Sequence, residues 1–275
     1  MPAFLDQIVT ATRARVAEAK RGADLRELER CAERHTPRGF RRALASKDPH
    51  AVSVIAELKK ASPSKGLIRA DFNPAQLAGE LEAAGASALS VLTDEEFFQG
   101  SLRNLQTASA AVTIPCLRKD FIVDEFQLIE ARASAADAVL LIVAALSQSE
   151  LLALSQVARK HHLDILCEVH DADELQRALD AGLDLIGVNS RDLRTFRVDL
   201  DTAFRLASKF PANVVRVAES GIRSPADLRH LRAAGYTAFL IGESLMRAQH
   251  PGEALRVLLS GVASPQPAPV GLIGN

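Results

Sequence analysis

Eight short apolar runs alternating with amphipathic segments, a helix-to-strand Ala-Gly turn used three times and a length of 275 residues predict an α/β protein. The fold class they define is a (β/α)8 TIM barrel with an additional N-terminal helical segment. Strands that alternate with helices make parallel crossovers, and eight such units of this total length close into a barrel.

The expected strands are Val52–Lys59, Ala88–Thr93, Pro115–Lys119, Ala138–Ala144, Asp164–Val169, Leu185–Asn189, Val214–Glu219 and Ala238–Gly242. Helical patterns fall between them at Pro74–Ala84, Asp124–Ala133, Ser149–His161, Ala172–Ala181, Pro225–Ala234 and Glu253–Leu259. Asn73-Pro74 and Ser224-Pro225 place a capping side chain before a proline at the first helical position. Gly85, Gly182 and Gly235 follow helical runs, where a left-handed residue ends a helix. Ahead of the alternation, Leu5, Ile8, Val9, Thr12, Val16 and Ala19 have helical spacing. Residues 1–260 are therefore expected to form one domain, residues 1–50 being its helical extension. Residues 261–275, rich in Pro, Gly and Ala, are expected to be a disordered tail.

Composition narrows the function. Basic and acidic residues nearly cancel, 33 against 34, so there is no nucleic-acid footprint. No apolar stretch is long enough to span a bilayer and no secretory pattern opens the chain, which points to the cytoplasm. Cys31, Cys116 and Cys167 lack metal-ligand spacing, and the latter two sit in apolar runs as reduced core thiols. Arg13, Arg15, Lys20 and Arg21 read as a solvated helix face, and His161-His162 as a solvated helix end.

The informative residues are charges on the inward phase of strands. Alternate strand residues fill a barrel's interior, and catalytic groups sit at the carboxyl ends of its strands. Ile55, Glu57 and Lys59 share one phase of the first strand. Leu117 and Lys119 share one in the third, Leu166 and Glu168 in the fifth, Gly187 and Asn189 in the sixth, and Val215, Val217 and Glu219 in the seventh. Any one of these polar groups alone is an ordinary solvated strand end. As a set carrying both signs, Glu57, Lys59, Lys119, Glu168, Asn189 and Glu219 imply a paired polar pocket, because an unpaired charge there costs several kcal/mol. Glu219-Ser220-Gly221 and Gly242-Glu243-Ser244 end the seventh and eighth strands, where barrels bind phosphate through backbone N–H groups. Gly221, Gly242 and Glu243 are thus candidate phosphate-binding residues.

The words around these positions resemble a known family. Ile55-Ala56-Glu57-Leu58-Lys59-Lys60-Ala61-Ser62-Pro63-Ser64 is similar to the E-x-K-x-x-S-P-S signature of indole-3-glycerol-phosphate synthases. Leu92-Thr93 with Phe98-Gln99-Gly100-Ser101, Leu117-Arg118-Lys119-Asp120-Phe121, Glu168-Val169-His170 and Gly187 through Leu193 resemble the family's later strands. So do Ala218 through Ile222 and Phe239 through Met246.

The resemblance implies ring closure, decarboxylation and dehydration of 1-(2-carboxyphenylamino)-1-deoxyribulose 5-phosphate to indole-3-glycerol phosphate, a carboxy-lyase step in tryptophan biosynthesis. It implies no metal and no organic cofactor, a small phosphorylated substrate, no nucleic acid or membrane partner, and a monomer or at most a weak homodimer. The ketone oxygen of that substrate needs a proton donor, assigned to Lys119 with Glu57 as its neighbour, and dehydration needs a base, assigned to Glu168. Lys59 binds the substrate carboxylate or serves a later proton transfer. Asn189 and Glu219 position hydroxyl groups. Phe98, Phe121 and Leu240 wall the aromatic ring, and Ser62, Ser220 and Arg191 join the substrate site, Arg191 alternatively serving its loop. Two rival readings share the barrel: a Schiff-base aldolase with Lys119 as nucleophile, and a non-catalytic phosphosugar-binding barrel.

Overall fold

The computed structural model describes residues 4–45, 52–192 and 195–263. The apolar runs become strands β1 (Ser53–Leu58), β2 (Ala88–Leu92), β3 (Cys116–Lys119), β4 (Ala138–Ile142), β5 (Asp164–Val169), β6 (Leu185–Asn189), β7 (Val215–Glu219) and β8 (Ala238–Ile241). Each pairs in parallel with the next, and β8 closes onto β1, giving the expected closed barrel. The fourth strand is shorter than expected: Val143–Ala145 turns into a single 3-10 turn after Ile142.

Helices α1 (Phe4–Gly22), α2 (Leu25–Glu33) and α3 (Phe40–Leu44) precede the barrel. The helices α4 (Pro74–Ala83), α5 (Glu95–Phe98), α6 (Leu102–Ala110), α7 (Phe126–Ala133), α8 (Gln148–Lys160), α9 (Ala172–Asp180), α10 (Asp201–Ala207), α11 (Pro225–Ala233), α12 (Glu243–Arg247) and α13 (Pro251–Ala263) follow. The cap signals act as read. Asn73 accepts from the Gln76 N–H at 3.2 Å, and Ser224 forms a reciprocal capping box with Asp227. Gly85, Gly182 and Gly235 take positive φ at helix ends. Helices α5, α6, α10 and α12 carried too short or too polar a pattern to be foreseen. Helix α13 runs to Ala263, and the remainder of the expected tail lies outside the described residues, as do Leu193 and residues 1–3 and 46–51.

Strand alternation splits the core in two. Val54, Ala56 and Leu58 face the outer helices, whereas Ile55, Leu117, Leu140, Leu166 and Val217 fill the interior. The N-terminal extension packs against both ends of that interior. At the amino-terminal rim Phe40 and Leu44 of α3, both 0% exposed, join a cluster with Ala88, Ala138, Leu185 and Ala238, the first residues of their strands. Asp137 fixes the chain there, accepting from the Arg38 N–H at 2.7 Å and from the Cys116 N–H at 2.6 Å. At the opposite rim Leu5 and Ile8 of α1 join the same interior cluster.

Arg13, Lys20 and Arg21 of the basic stripe of α1 are exposed, as a solvated face requires, and Arg15 is half-buried. Arg13 pairs with Glu150 in the first turn of α8 at 2.8 Å, Arg15 with Asp94 at 2.9 Å and Lys20 with Asp124 at 2.9 Å. Asp94, fully buried, draws Arg15 in.

The packing of α3 makes a stability prediction. Phe40→Ala removes a fully buried ring and is expected to cost roughly 3–5 kcal/mol, read as a lower Tm and an earlier denaturant midpoint. A loss below ~1 kcal/mol would mean that α3 does not plug the barrel.

Candidate active site

The barrel brings the polar strand ends to one place. Glu57, Lys59, Lys119, Glu168, Asn189 and Glu219 line a single cleft at the carboxyl ends of the strands, enclosing about 940 Å³ with its open mouth included. Ser62, Phe98, Phe121, Arg191, Ser220, Leu240 and Glu243 line it too, so the residues expected at the substrate all meet there. Register explains the convergence. Glu168 lies opposite Ile142 and Gly187, Glu219 opposite Asn189 and Leu240, and Lys119 opposite Leu92.

Charge pairing within the cleft differs from expectation in one respect. Lys119 Nζ donates to Glu168 Oε2 at 2.9 Å and lies 3.8 Å from Glu219, whereas Glu57 takes Lys59 Nζ at 2.6 Å. The direct partner of Lys119 is therefore Glu168. Glu57 is already engaged by the lysine two residues along its own strand and acts on Lys119 only through its field. Burial works against the Lys119 charge, but Glu168, Glu219 and Glu57 outweigh it and hold the ammonium above its usual range. Burial also opposes ionisation of Glu168, yet Lys119 and His170 prevail and hold it below the carboxylate range. Glu219 goes the other way: burial and the Glu168 charge push it up, so it carries the proton of this carboxyl pair. Its Oε1 has no hydrogen-bond partner.

Two glycines make room for these acids. A Cβ on Gly187 would lie 1.9 Å from Glu219 Oε1, and one on Gly242 would lie 2.5 Å from Glu57 Oε1. Gly221 has φ of +83°, and a Cβ there would meet Val198 at 2.7 Å. Gly221 and Gly242 border an adjoining hollow of about 960 Å³, its open part included, which shares Lys59, Ser220 and Glu243 with the cleft. The Glu243 carboxylate is bridged by Arg247 at 3.1 Å and Arg191 at 3.5 Å. Burial resists its charge, and Arg247, Lys59 and Arg191 pull its pKa down regardless. Only the main chain of Glu243 suits an anion, because the carboxylate itself repels one.

Ser220, at φ of +66°, donates from Oγ to Asn189 Oδ1 at 2.8 Å, and the Arg191 N–H reaches the same oxygen at 3.0 Å. Both contacts aim the Asn189 amide. The Phe98 and Phe121 rings sit 6.3 Å apart at 37° on the apolar wall.

Sequence reasoning missed several groups. Phe4, Leu5 and Ile8 of α1, together with Asp94, Asp120 and Phe196, also line the cleft. Arg223, Ser244 and Arg247 line the hollow. The apolar stripe of α1 was visible, but periodicity does not say which end of a barrel a helix covers. His170, whose Nε2 lies 3.4 Å from Glu168 Oε1, stood in plain view two residues after Glu168. Among the described residues no group of three or more His, Cys, Asp or Glu is arranged to hold a metal ion, and no helix is long and apolar enough to cross a membrane.

A closed parallel barrel with acids and amines at its strand ends, beside two glycine turns, defines a barrel enzyme. Solved structures show that architecture at low identity: a 3-hexulose-6-phosphate synthase matches with a TM-score of 0.62 and 15% identity, covering 77% of this chain and 100% of its own. A thiamine phosphate pyrophosphorylase from Pyrococcus furiosus matches with a TM-score of 0.58 and 17% identity, covering 78% of this chain and 96% of its own. The chain belongs to the indole-3-glycerol phosphate synthase family, whose model matches residues 5–258. A relative of that name from Koribacter versatilis (strain Ellin345) is 59% identical over 259 residues, 94% of this chain and all of its own length. Another, from Acinetobacter baumannii (strain SDF), is 48% identical over 257 residues, 93% of this chain and 95% of its own.

The space above Gly187 yields a prediction. Gly187→Ala should displace the Glu219 carboxyl and cut kcat/KM at least tenfold, about 1.4 kcal/mol of transition-state stabilisation. Steady-state kinetics beside a circular dichroism spectrum check it, and parent-like turnover would show that Glu219 does not need that space.

Proposed function

We propose that this chain is an indole-3-glycerol-phosphate synthase of the cytoplasm that works as a monomer. Its substrate would be 1-(2-carboxyphenylamino)-1-deoxyribulose 5-phosphate, and its products indole-3-glycerol phosphate, CO₂ and water. The observation that carries the reading is the Lys119–Glu168 contact at 2.9 Å, an acid and a base side by side in one cleft. The family membership above supplies the reaction class.

The chemistry assigns the roles. Attack of the aromatic carbon on the ketone puts negative charge on the ketone oxygen, and the Lys119 ammonium gives it a proton. Loss of CO₂ returns the bonding pair to the ring. Glu168 then takes a proton from the methylene beside nitrogen while the hydroxyl leaves as water. Glu219, carrying its proton, donates to that hydroxyl, and the Asn189 amide orients it. Lys59 neutralises the substrate carboxylate or serves the later transfer. Phe98, Phe121 and Leu240 offer the ring an apolar wall, and Ser62, Arg191 and Ser220 contact the polar chain. The main chain at Gly221, Gly242 and Glu243 receives the phosphate, with Arg191 and Arg247 nearby to balance its charge.

The electrostatics of Lys119 weigh against a Schiff-base aldolase. A nucleophilic lysine needs a depressed pKa to expose its lone pair, and the acids around Lys119, Glu168 foremost, raise it. A pure phosphosugar binder has no use for an ionised acid–base pair buried in its floor.

Turnover is read as indole fluorescence with purified substrate and no added metal. Lys119→Ala should lower kcat by roughly 10²-fold or more, as expected for loss of a general acid. Glu168→Gln should lose turnover yet still bind substrate by calorimetry. A Lys119→Ala variant that folds and keeps turnover within a few-fold of the parent would sink the acid assignment.

A further inference from the structure

Glu168 faces two cations, one on each carboxyl oxygen. Oε2 accepts from Lys119 inside the cleft at 2.9 Å. Oε1 faces His170 Nε2 at 3.4 Å, within ion-pair reach but short of a made hydrogen bond. Both of these atoms are buried and have no hydrogen-bond partner. His170 does not line the catalytic cleft. It lines a neighbouring groove of about 1920 Å³, open mouth included, which shares Leu5 and Asn189 with the cleft but not Glu168. The imidazole thus stands in the wall between the two.

Glu174, in the first turn of α9, fixes the ring: its Oε2 accepts from the His170 backbone N–H at 2.8 Å and lies 3.0 Å from Nδ1. Burial disfavours a charged imidazole, but Glu168 and Glu174 overcome it and push His170 up to about 10. The groove also presents Asp6, Asp171, Arg177, Asp192 and Arg197.

The reaction proposed above does not conserve protons. The ketone oxygen leaves as water and takes up two. The methylene carbon gives up one. The carboxylate leaves as CO₂ without its bonding pair and without a proton. Each turnover therefore consumes one proton net. The proton that Glu168 removes from the methylene can pass by way of Lys119, at 2.9 Å, to Glu219, which lies 3.8 Å from that lysine, and so restore the donor used at the hydroxyl. The other must come from solvent, while Phe4, Leu5 and Ile8 of α1 wall the mouth of the cleft.

We propose that His170 is the proton inlet of the site, a positioning and relay residue that passes a solvent proton from the outer groove to Glu168 and through it to Lys119. The inference rests on the synthase reading of the cleft. Once dehydration is complete and Lys119 is left neutral, the N–H bond at His170 Nε2 breaks and an O–H bond forms at Glu168 Oε1. Glu168 passes a proton from its carboxyl to the neutral Lys119 amine and is a carboxylate again. The neutral imidazole then turns its Nε2 edge to the groove, takes a proton from water there and swings back. No oxidant or further reactant takes part. Glu174 receives the ring again and aims the charged imidazole at Glu168.

The test measures kcat and KM by indole fluorescence for the parent, His170→Ala and His170→Asn, each with and without imidazole. Both variants should lose roughly ten- to hundredfold in kcat with little change in KM, and free imidazole should restore kcat of His170→Ala saturably. A purely structural role would leave nothing for imidazole to rescue. If His170→Ala fails to fold, His170→Asn keeps a polar side chain toward Glu174 and is rescued by imidazole in the same assay. Parent-like kcat in a folded variant, or a loss that imidazole does not relieve, overturns the inlet. A parent protein that forms no indole product overturns the synthase reading instead, and that arm is read first.

Discussion

A lysine held among carboxylates inside a closed barrel is the constraint from which the rest of this molecule follows. The last inward layer of the barrel holds Glu57, Lys119, Glu168 and Glu219, all at most intermediate in exposure. Each one alone would be a buried charge costing several kcal/mol. They persist because Lys59 neutralises Glu57, Lys119 neutralises Glu168, and Glu219 keeps its proton. The layers below are apolar and well packed, and the polar layer needs vacant volume that only glycine leaves at positions 187 and 242. The chemistry at the mouth and the choice of glycine in a strand are thus one requirement.

The N-terminal extension works on the same interior from both ends. Phe40 and Leu44 stop the floor with apolar volume, which a ring of alanine at the strand starts accommodates. Leu5 and Ile8 reach the mouth, where α1 is fastened by cations to the loops after the second and third strands and to the first turn of α8. These pairs are partly exposed, and such contacts contribute little singly. Their effect is geometric: they hold an apolar helix end over the cleft, so the lysines and acids beneath act at reduced dielectric, where their mutual fields are strong. Fold stability and reactivity therefore draw on one segment.

Most of the barrel was legible because strand and helix periods differ so sharply, and because caps such as Asn73 and Ser224 mark starts without reference to tertiary structure. The inward phase of each strand was legible for the same reason, and it delivered Glu57, Lys59, Lys119, Glu168, Asn189 and Glu219 to the cleft. What sequence could not supply was pairing across the barrel. Glu57 was matched to Lys119, when proximity along one strand gives Glu57 to Lys59 and the parallel sheet gives Lys119 to Glu168. Short connecting helices such as α10, with only Ala203 and Leu206 buried, lack the repeats that make a pattern visible. His170 was hidden differently: its meaning depends on Glu174, one helical turn on, and on a groove made by distant loops.

A base held far below its usual pKa is a poor base, which conflicts with the proton-abstracting role proposed for Glu168. The conflict disappears once the order of events is considered. Lys119 is the leading attractive charge on Glu168, and in the proposed reaction the first chemical step spends that charge by protonating the ketone. Losing a unit charge 2.9 Å away in a low-dielectric cleft raises the carboxylate's proton affinity steeply. On that proposal Glu168 is weak while the substrate is binding and strong when dehydration calls for it. The remaining cation, His170, lies on the far oxygen at the longer distance of 3.4 Å, so it keeps the carboxylate aimed without silencing it. The paired charges that make the resting cleft stable are the ones whose separation sets the sequence of proton transfers.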